Sequence, residues 1–182
     1  MLSESHNPGR KLKYTWEMIH NGVCWIGINT QVPNKIAAEA ITRGRIPELS
    51  GYSELRREVR YGANSRVDLL LKNGDQLCYV EVKNVTLVED DAFYKFPDAV
   101  TERGRKHLYD LLEVVKSGQR AVMLFVIQRS DGTIFKPADE IDPLYGQVLR
   151  EVHEQGVEIL AYRAQVSPQS IELTEKTDYT LD

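Results

Sequence analysis

A chain of 182 residues, 42% apolar and 27% charged, has room for one α/β core and a small appendage, and contains no low-complexity block. Its formal charge of −4 excludes a protein that holds nucleic acid by bulk charge alone. Cys24 and Cys78 lie far apart without CxxC or Cys/His spacing, which excludes a disulfide framework and a cysteine zinc site. With no signal peptide and no apolar run of spanning length, the expectation is a reduced, cytoplasmic protein that does not enter a membrane.

Residues 1–10 (MLSESHNPGR) are polar and turn-rich and predict a poorly anchored end. Residues 11–30 predict a hairpin, with strands over 14–19 and 23–28 around His20-Asn21-Gly22. An isolated hairpin is marginal in water, so this one must pack on the main domain or belong to a larger β module. Trp16 and Trp25 suit packing there, with base stacking as the alternative. Residues 33–42 predict a short helix with Pro33 near its start and Gly44 as its stop. After the basic connector 43–47, Ser53 predicts the cap of a helix over 54–60 ending at Gly62, with Leu55 and Val59 as its buried stripe. Glu58, late in that helix, is either a third acid leaning over a neighbouring site or half of a surface ion pair with an arginine.

Residues 66–86, RVDLLLKNGDQLCYVEVKNVT, are the centre of the chain. Two β-rich runs, 67–71 and 77–82, flank Lys72-Asn73-Gly74-Asp75, a strong hairpin signal. A turn at Asn73-Gly74 places Asp68 opposite Tyr79, and one at Gly74-Asp75 places it opposite Glu81. Either register leaves Asp68, Tyr79, Glu81 and Lys83 on one face and Val67, Leu69, Val80 and Val82 on the other. Opposed or diagonal carboxylates on neighbouring strands lie about 5–8 Å apart at Cβ, within reach of one divalent cation. Asp68 and Glu81, with the Val82 carbonyl, offer the hard oxygens that Mg²⁺ or Mn²⁺ prefer, and such a cation activates water against a phosphodiester. Lys83 is placed to orient that water or steady the developing oxyanion.

The acidic loop 89–95 (EDDAFYK) is expected to be solvated rather than ligating. A long helix opening at Asp98, or at Thr101, runs to Ser117 and stops at Gly118, with Leu108, Leu111, Leu112 and Val115 inward. Its first turns carry Arg103 and His107 on one side, a pattern suited to phosphate at a helix N-terminus, while Arg105 and Lys106 suit plain surface. Residues 120–128 predict a central strand buried on both faces. Asp142-Pro143 predicts the start of a helix to Gln155; strands follow over 157–162 and 170–174.

Asp68, a hairpin, then Glu81-Val82-Lys83 resembles the PD-(D/E)XK nuclease superfamily, and the order of elements after Ser50 resembles the restriction-endonuclease-like fold. Longer runs, among them Glu58-Val59-Arg60-Tyr61-Gly62, Tyr79-Val80-Glu81-Val82-Lys83-Asn84-Val85-Thr86-Leu87, and Phe96-Pro97-Asp98-Ala99-Val100-Thr101-Glu102-Arg103-Gly104, resemble the sugar fermentation stimulation protein A family over nearly the whole chain. The resemblance implies an α/β (α+β) fold: a restriction-endonuclease-like core, a mixed sheet flanked by helices over residues 31–182. Residues 1–30 would be the remnant of an N-terminal OB-like β domain whose earlier strands precede this chain. It implies sequence-nonspecific DNA binding and a link to sugar (maltose) utilisation in bacteria.

The site expected is Asp68 and Glu81 as metal ligands, Lys83 and Glu58 as further catalytic groups, and Arg60, Arg66, Arg103 and His107 on the nucleic acid. Three readings follow: a Mg²⁺- or Mn²⁺-dependent nuclease, a DNA-binding regulator that does not cleave, and a protein-interaction module whose acids are structural. Nucleases of this fold often pair, so a homodimer is a further expectation.

Overall fold

The computed structural model describes residues 1–6, 9, 11–61 and 65–182. In chain order the elements are β1 (Leu2–Glu4), β2 (Tyr14–Trp16), β3 (Met18–His20), β4 (Trp25–Gly27), α1 (Val32–Thr42), β5 (Glu54–Tyr61), β6 (Ser65–Asn73) and β7 (Gln76–Val85). Then come β8 (Leu87–Val88), β9 (Tyr94–Phe96), α2 (Glu102–Lys116), β10 (Arg120–Ile127), β11 (Phe135–Pro137), α3 (Pro143–Glu154), β12 (Glu158–Val166) and β13 (Ile171–Lys176).

Six strands form the main sheet in the order β13-β12-β10-β7-β6-β5. β7, β10 and β12 run parallel, and the remaining neighbours pair antiparallel. α2 and α3 supply the crossovers that parallel pairing requires. α1, with Leu69, Leu71, Val80 and Val82, packs one face of the sheet, and α2 and α3, with Met123, Phe125 and Ile127, pack the other. The result is the mixed sheet flanked by helices that the sequence leads one to expect. β10 is the clearest case: seven of its eight residues are buried, because helices cover both its faces.

The largest correction is β5. Residues 54–60 form a strand, paired antiparallel with β6 from Glu54↔Lys72 to Tyr61↔Ser65, and not a helix. Leu55 and Val59 share a face in either geometry, since four residues is about one helical turn and also two strand repeats. ELRREVR has good helix propensity, and the open edge of β6 overrides it. Ser53 donates its hydroxyl to the Lys72 carbonyl instead of capping a helix. The stop expected at Gly62 lies outside the described residues. With this change the elements of the main layers read α1-β5-β6-β7-α2-β10, with three strands of the main sheet rather than two ahead of α2.

Smaller differences follow the same logic. Leu2–Glu4 is a strand paired with β2, so part of the N-terminal stretch is anchored. The strand expected over 14–19 breaks at Glu17, and its halves serve different partners, β2 with β1 and β3 with β4. Trp16 is 55% exposed, because nothing among the described residues covers the β1–β2 pair. Trp25 is half-buried and meets the His20 ring edge-on. α2 is capped by Thr101, whose hydroxyl accepts from the Gly104 N–H at 2.9 Å, not by Asp98. Asp142 caps α3 as expected, accepting from the Tyr145 N–H.

Candidate active site

The β6–β7 ladder runs Leu69↔Val80, Leu70↔Tyr79 and Leu71↔Cys78, so the turn is Gly74-Asp75 and Asp68 falls opposite Glu81. Gly74, at φ +59°, supplies the left-handed residue that this turn needs. On the other side, Arg57↔Leu69 and Val59↔Val67 place Glu58 opposite Asp68. Three acids therefore cross three neighbouring strands in one row. Two residues along, Arg60 pairs with Arg66, while the β6–β7 ladder has already ended at Leu69↔Val80 and the Val82 N–H turns to the Asp68 carboxylate.

These residues open onto a cleft of about 520 Å³ between the β5–β7 face and the start of α2. Glu58, Arg66, Asp68, Glu81 and Lys83 line it from the sheet, and Thr101, Arg103 and His107 from the helix. Arg60 stands opposite Arg66 on the exposed edge, outside the lining. Glu58 has φ +55°, an uncommon conformation for a residue with a side chain. Its carboxylate lies 3.5 Å from Arg66, with both side chains half in solvent. Among the described residues, Glu58 does not complete a cluster of three metal-binding side chains with Asp68 and Glu81.

Each of the two central carboxylates is held differently. Asp68 accepts from the Val82 N–H at 2.8 Å and from the Asn34 amide at 2.7 Å. Burial pushes its carboxyl up from the ordinary value, and the charge of Glu81 adds to the push. Glu81 is 3% exposed, and one oxygen, Oε1, accepts from Lys83 at 2.8 Å and contacts His107 Nδ1. Burial acts to raise Glu81 as well, but the His107 hydrogen bond and the Lys83 charge outweigh it and hold the carboxyl below its usual value. Arg103 donates to His107 Nε2 at 3.4 Å, a pattern that places the proton of a neutral ring on Nδ1, facing Glu81. Glu81 Oε2 makes no hydrogen bond among the described residues.

Sequence reasoning missed Asn34, which comes from α1 and is the one side-chain amide on Asp68 among the described residues. Only the position of α1 over the end of β6 gives it a role, and no local pattern encodes that. His107 holds Glu81 instead of reaching phosphate alone, and Arg105 is not plain surface: it pairs with Asp142, whose side chain is 2% exposed, at 2.8 Å. Lys106 pairs with Asp110 at the surface.

The profile of the sugar fermentation stimulation protein RE domain matches residues 31–170. The chain belongs to the sugar fermentation stimulation protein family. It is 61% identical over 175 residues to the sugar fermentation stimulation protein homolog of Geotalea uraniireducens, covering 96% of this chain and 75% of that one. The homologs of Geobacter sulfurreducens and Acidithiobacillus ferrooxidans are 57% and 55% identical with the same coverage. Among solved structures, that of Pyrococcus furiosus SfsA in complex with Ca²⁺ aligns with a TM-score of 0.88 at 26% identity, over 98% of this chain and 76% of that one. The matched residues take in five of the six strands of the main sheet, all but β13, and the cleft's lining from Asn34 onward. Among the described residues no helix is long and apolar enough to cross a membrane.

Proposed function

We propose that the cleft binds a divalent cation between Asp68 and Glu81 and hydrolyses a DNA phosphodiester there. The observation that carries this reading is the convergence, on one open cleft, of a buried carboxylate, Glu81, and a half-buried one, Asp68, with Lys83, Arg66 and Arg103. Isolated buried acids are costly, and a pair of them facing solvent-filled space is what a cation relieves. The donors fit a hard cation: both are carboxylates, and Glu81 keeps Oε2 free. A relative solved in complex with Ca²⁺ is in keeping with this. When bound, Mg²⁺ or Mn²⁺ would lower the pKa of a coordinated water and offset charge on the phosphate.

The chain's own residues supply the rest. The Val82 N–H and Asn34 fix Asp68, and His107 with Lys83 fixes Glu81, so both carboxylates are oriented before substrate arrives. Arg66 and Arg103 line the cleft as counter-charges for phosphate oxygens. Lys83, with three protons on a short reach, can turn from Glu81 toward the phosphate oxygen that gains charge.

The test is calorimetric titration with Mn²⁺ of wild type beside Asp68→Ala, followed by incubation of each with single- and double-stranded DNA. Cation binding and cleavage by wild type alone is the expected result; absence of cation binding in wild type overturns the reading. One observation favours a second reading, a DNA-binding protein that does not cleave. Lys83 already pairs with Glu81 and His107 bonds the same oxygen without a cation, so the site is held together by itself. Cation-dependent DNA binding without cleavage would select it.

A further inference from the structure

Gln128 follows β10 and is completely buried. Its side-chain nitrogen donates to the Gly27 carbonyl at 3.2 Å and to Asn84 Oδ1 at 2.7 Å. Its backbone is pinned as well, by Gly27 N–H to its carbonyl at 2.9 Å and by its own N–H to the Val85 carbonyl at 3.1 Å. A backbone carbonyl can only accept, so Gly27 dictates which end of the Gln128 amide is the nitrogen. That nitrogen in turn requires Asn84 to offer its oxygen. The other end, Gln128 Oε1, lies against Gly27, where a Cβ would come within 2.5 Å, and has no hydrogen-bond partner. A buried acceptor left unpaired is costly, which indicates that the two bonds made by the nitrogen outweigh it.

The consequence falls on the cleft. Asn84 sits on β7 directly after Lys83, is half-buried and lines the cavity. Its oxygen is committed to Gln128, and its nitrogen has no acceptor among the described residues. Alternation along β7 sets Asn84 on the Val82 face, so its amide reaches the cleft from the α1 side, beside Thr30 and Asn34, as a neutral donor whose direction Gln128 sets. The other donors lining the cleft are the cationic Arg66, Lys83 and Arg103, together with Asn34 and His107, which are already engaged with Asp68 and Glu81.

We propose that Asn84 is a substrate-contact residue that donates its Nδ2 protons to an unesterified phosphate oxygen of the bound strand, with Gln128 as the positioning residue that sets its direction. This rests on the phosphodiester reading of the cleft. A neutral amide adds directional recognition without adding to the salt-dependent attraction that cations provide.

The experiment measures Kd for a fluorescent 20-mer duplex at saturating Ca²⁺ across a salt series, with thermal melting and Ca²⁺ titration of each variant alongside. Asn84→Ala and Asn84→Asp are each expected to weaken DNA binding about tenfold, the size of one lost hydrogen bond to a charged group. Asn84→Ala should leave the salt slope and Ca²⁺ affinity unchanged, whereas Arg103→Ala should lower the slope by about one. Gln128→Met, which frees the amide to rotate, should cost about threefold. If Asn84→Asp binds DNA as wild type does while Asn84→Ala does not, the residue serves only to satisfy Gln128 and the proposal fails. If Asn84→Ala binds as wild type does, it fails while the phosphodiester reading stands. If wild type itself binds no DNA with Ca²⁺ bound, that reading falls and takes this inference with it.

Discussion

In one cluster Lys95 is gripped by Glu89, Asp91 and Glu140 at 2.6, 2.8 and 2.6 Å; in the other, Asp68 and Glu81 face each other across two strands. In the first cluster the cation is the buried partner, 4% exposed, and its acids keep 36–46% of their side chains in solvent. In the second the acids are the more deeply buried partners: Glu81 is 3% exposed, and the guanidinium of Arg66 stands half in water. The loop acids neutralise a buried charge while their own hydration is largely kept, so the cluster is a finished strut that ties β9 to its neighbours. The cleft acids lose hydration and gain only part of it back from Lys83, His107 and Asn34. Charge left over in an open cavity is what separates a site from a brace.

The widest separation between the two clusters should appear on removing charge from each. Glu81→Ala or Asp68→Ala is expected to weaken Mn²⁺ binding beyond the roughly 10- to 100-fold that supporting residues cost, and to abolish cleavage, as read by calorimetry and a DNA digest. Asp68→Ala should not lower the melting temperature much in cation-free buffer, because it relieves a carboxyl that burial pushes up, whereas Glu81→Ala should lower it by leaving Lys83 without its partner. Lys95→Met should do the reverse of Asp68→Ala. It leaves Glu89 and Glu140 without their counter-charge and Asp91 with Lys136 alone, and should destabilise the fold by about 2 kcal/mol, a value reduced from the buried-pair range because those acids are wet. Urea unfolding measures this, and Mn²⁺ affinity should not change.

Acid titration sharpens the contrast. The hydrogen bond from Lys95 lowers Asp91 from its ordinary value to about 2. Burial acts to raise Glu140, but the Lys95 hydrogen bond outweighs it and lowers that carboxyl as well. A carboxyl lowered by folding contributes stability that is whole above its unfolded pKa and is lost as pH falls through the folded one. The strut should therefore weaken between about pH 4 and pH 2. Denaturant midpoints followed over that window should fall more steeply in wild type than in Lys95→Met. Equal slopes would mean the acids are not coupled to Lys95 in solution.

Much of this arrangement was legible from local pattern. Alternation within residues 66–86 put Asp68, Glu81 and Lys83 on one face whichever turn was used, because a two-residue shift of register preserves faces. Which residue stood opposite Asp68 was not legible, since Asn73-Gly74 and Gly74-Asp75 both suit a tight turn and the choice rests on pairing along the whole ladder. β5 was misread because an apolar spacing of four fits both periods and its sequence favours a helix; the strand exists because β6 needs an edge partner. The role of Glu58 moved with it, from the end of a helix to a place in a row of acids. Asn34, Gln128 and Gly27 carry no pattern at all. Their roles come from contacts 34, 44 and 101 residues apart in sequence.

Asn34 gives the smallest and most discriminating effect. It reaches Asp68 from α1, the layer on the far side of the sheet, and it orients one oxygen while the Val82 N–H holds the other. Asn34→Ala removes a neutral donor from a half-buried helix start and leaves the backbone donor in place. Stability should change by no more than about 0.5 kcal/mol. Mn²⁺ affinity should fall about tenfold if orientation of the ligand is what the bond provides, the usual cost of losing one supporting contact. The same substitution should leave the Lys95 cluster and its acid titration untouched. A variant that binds Mn²⁺ as wild type does would mean that the backbone alone fixes Asp68, and that α1 supports the cleft by packing and not by chemistry.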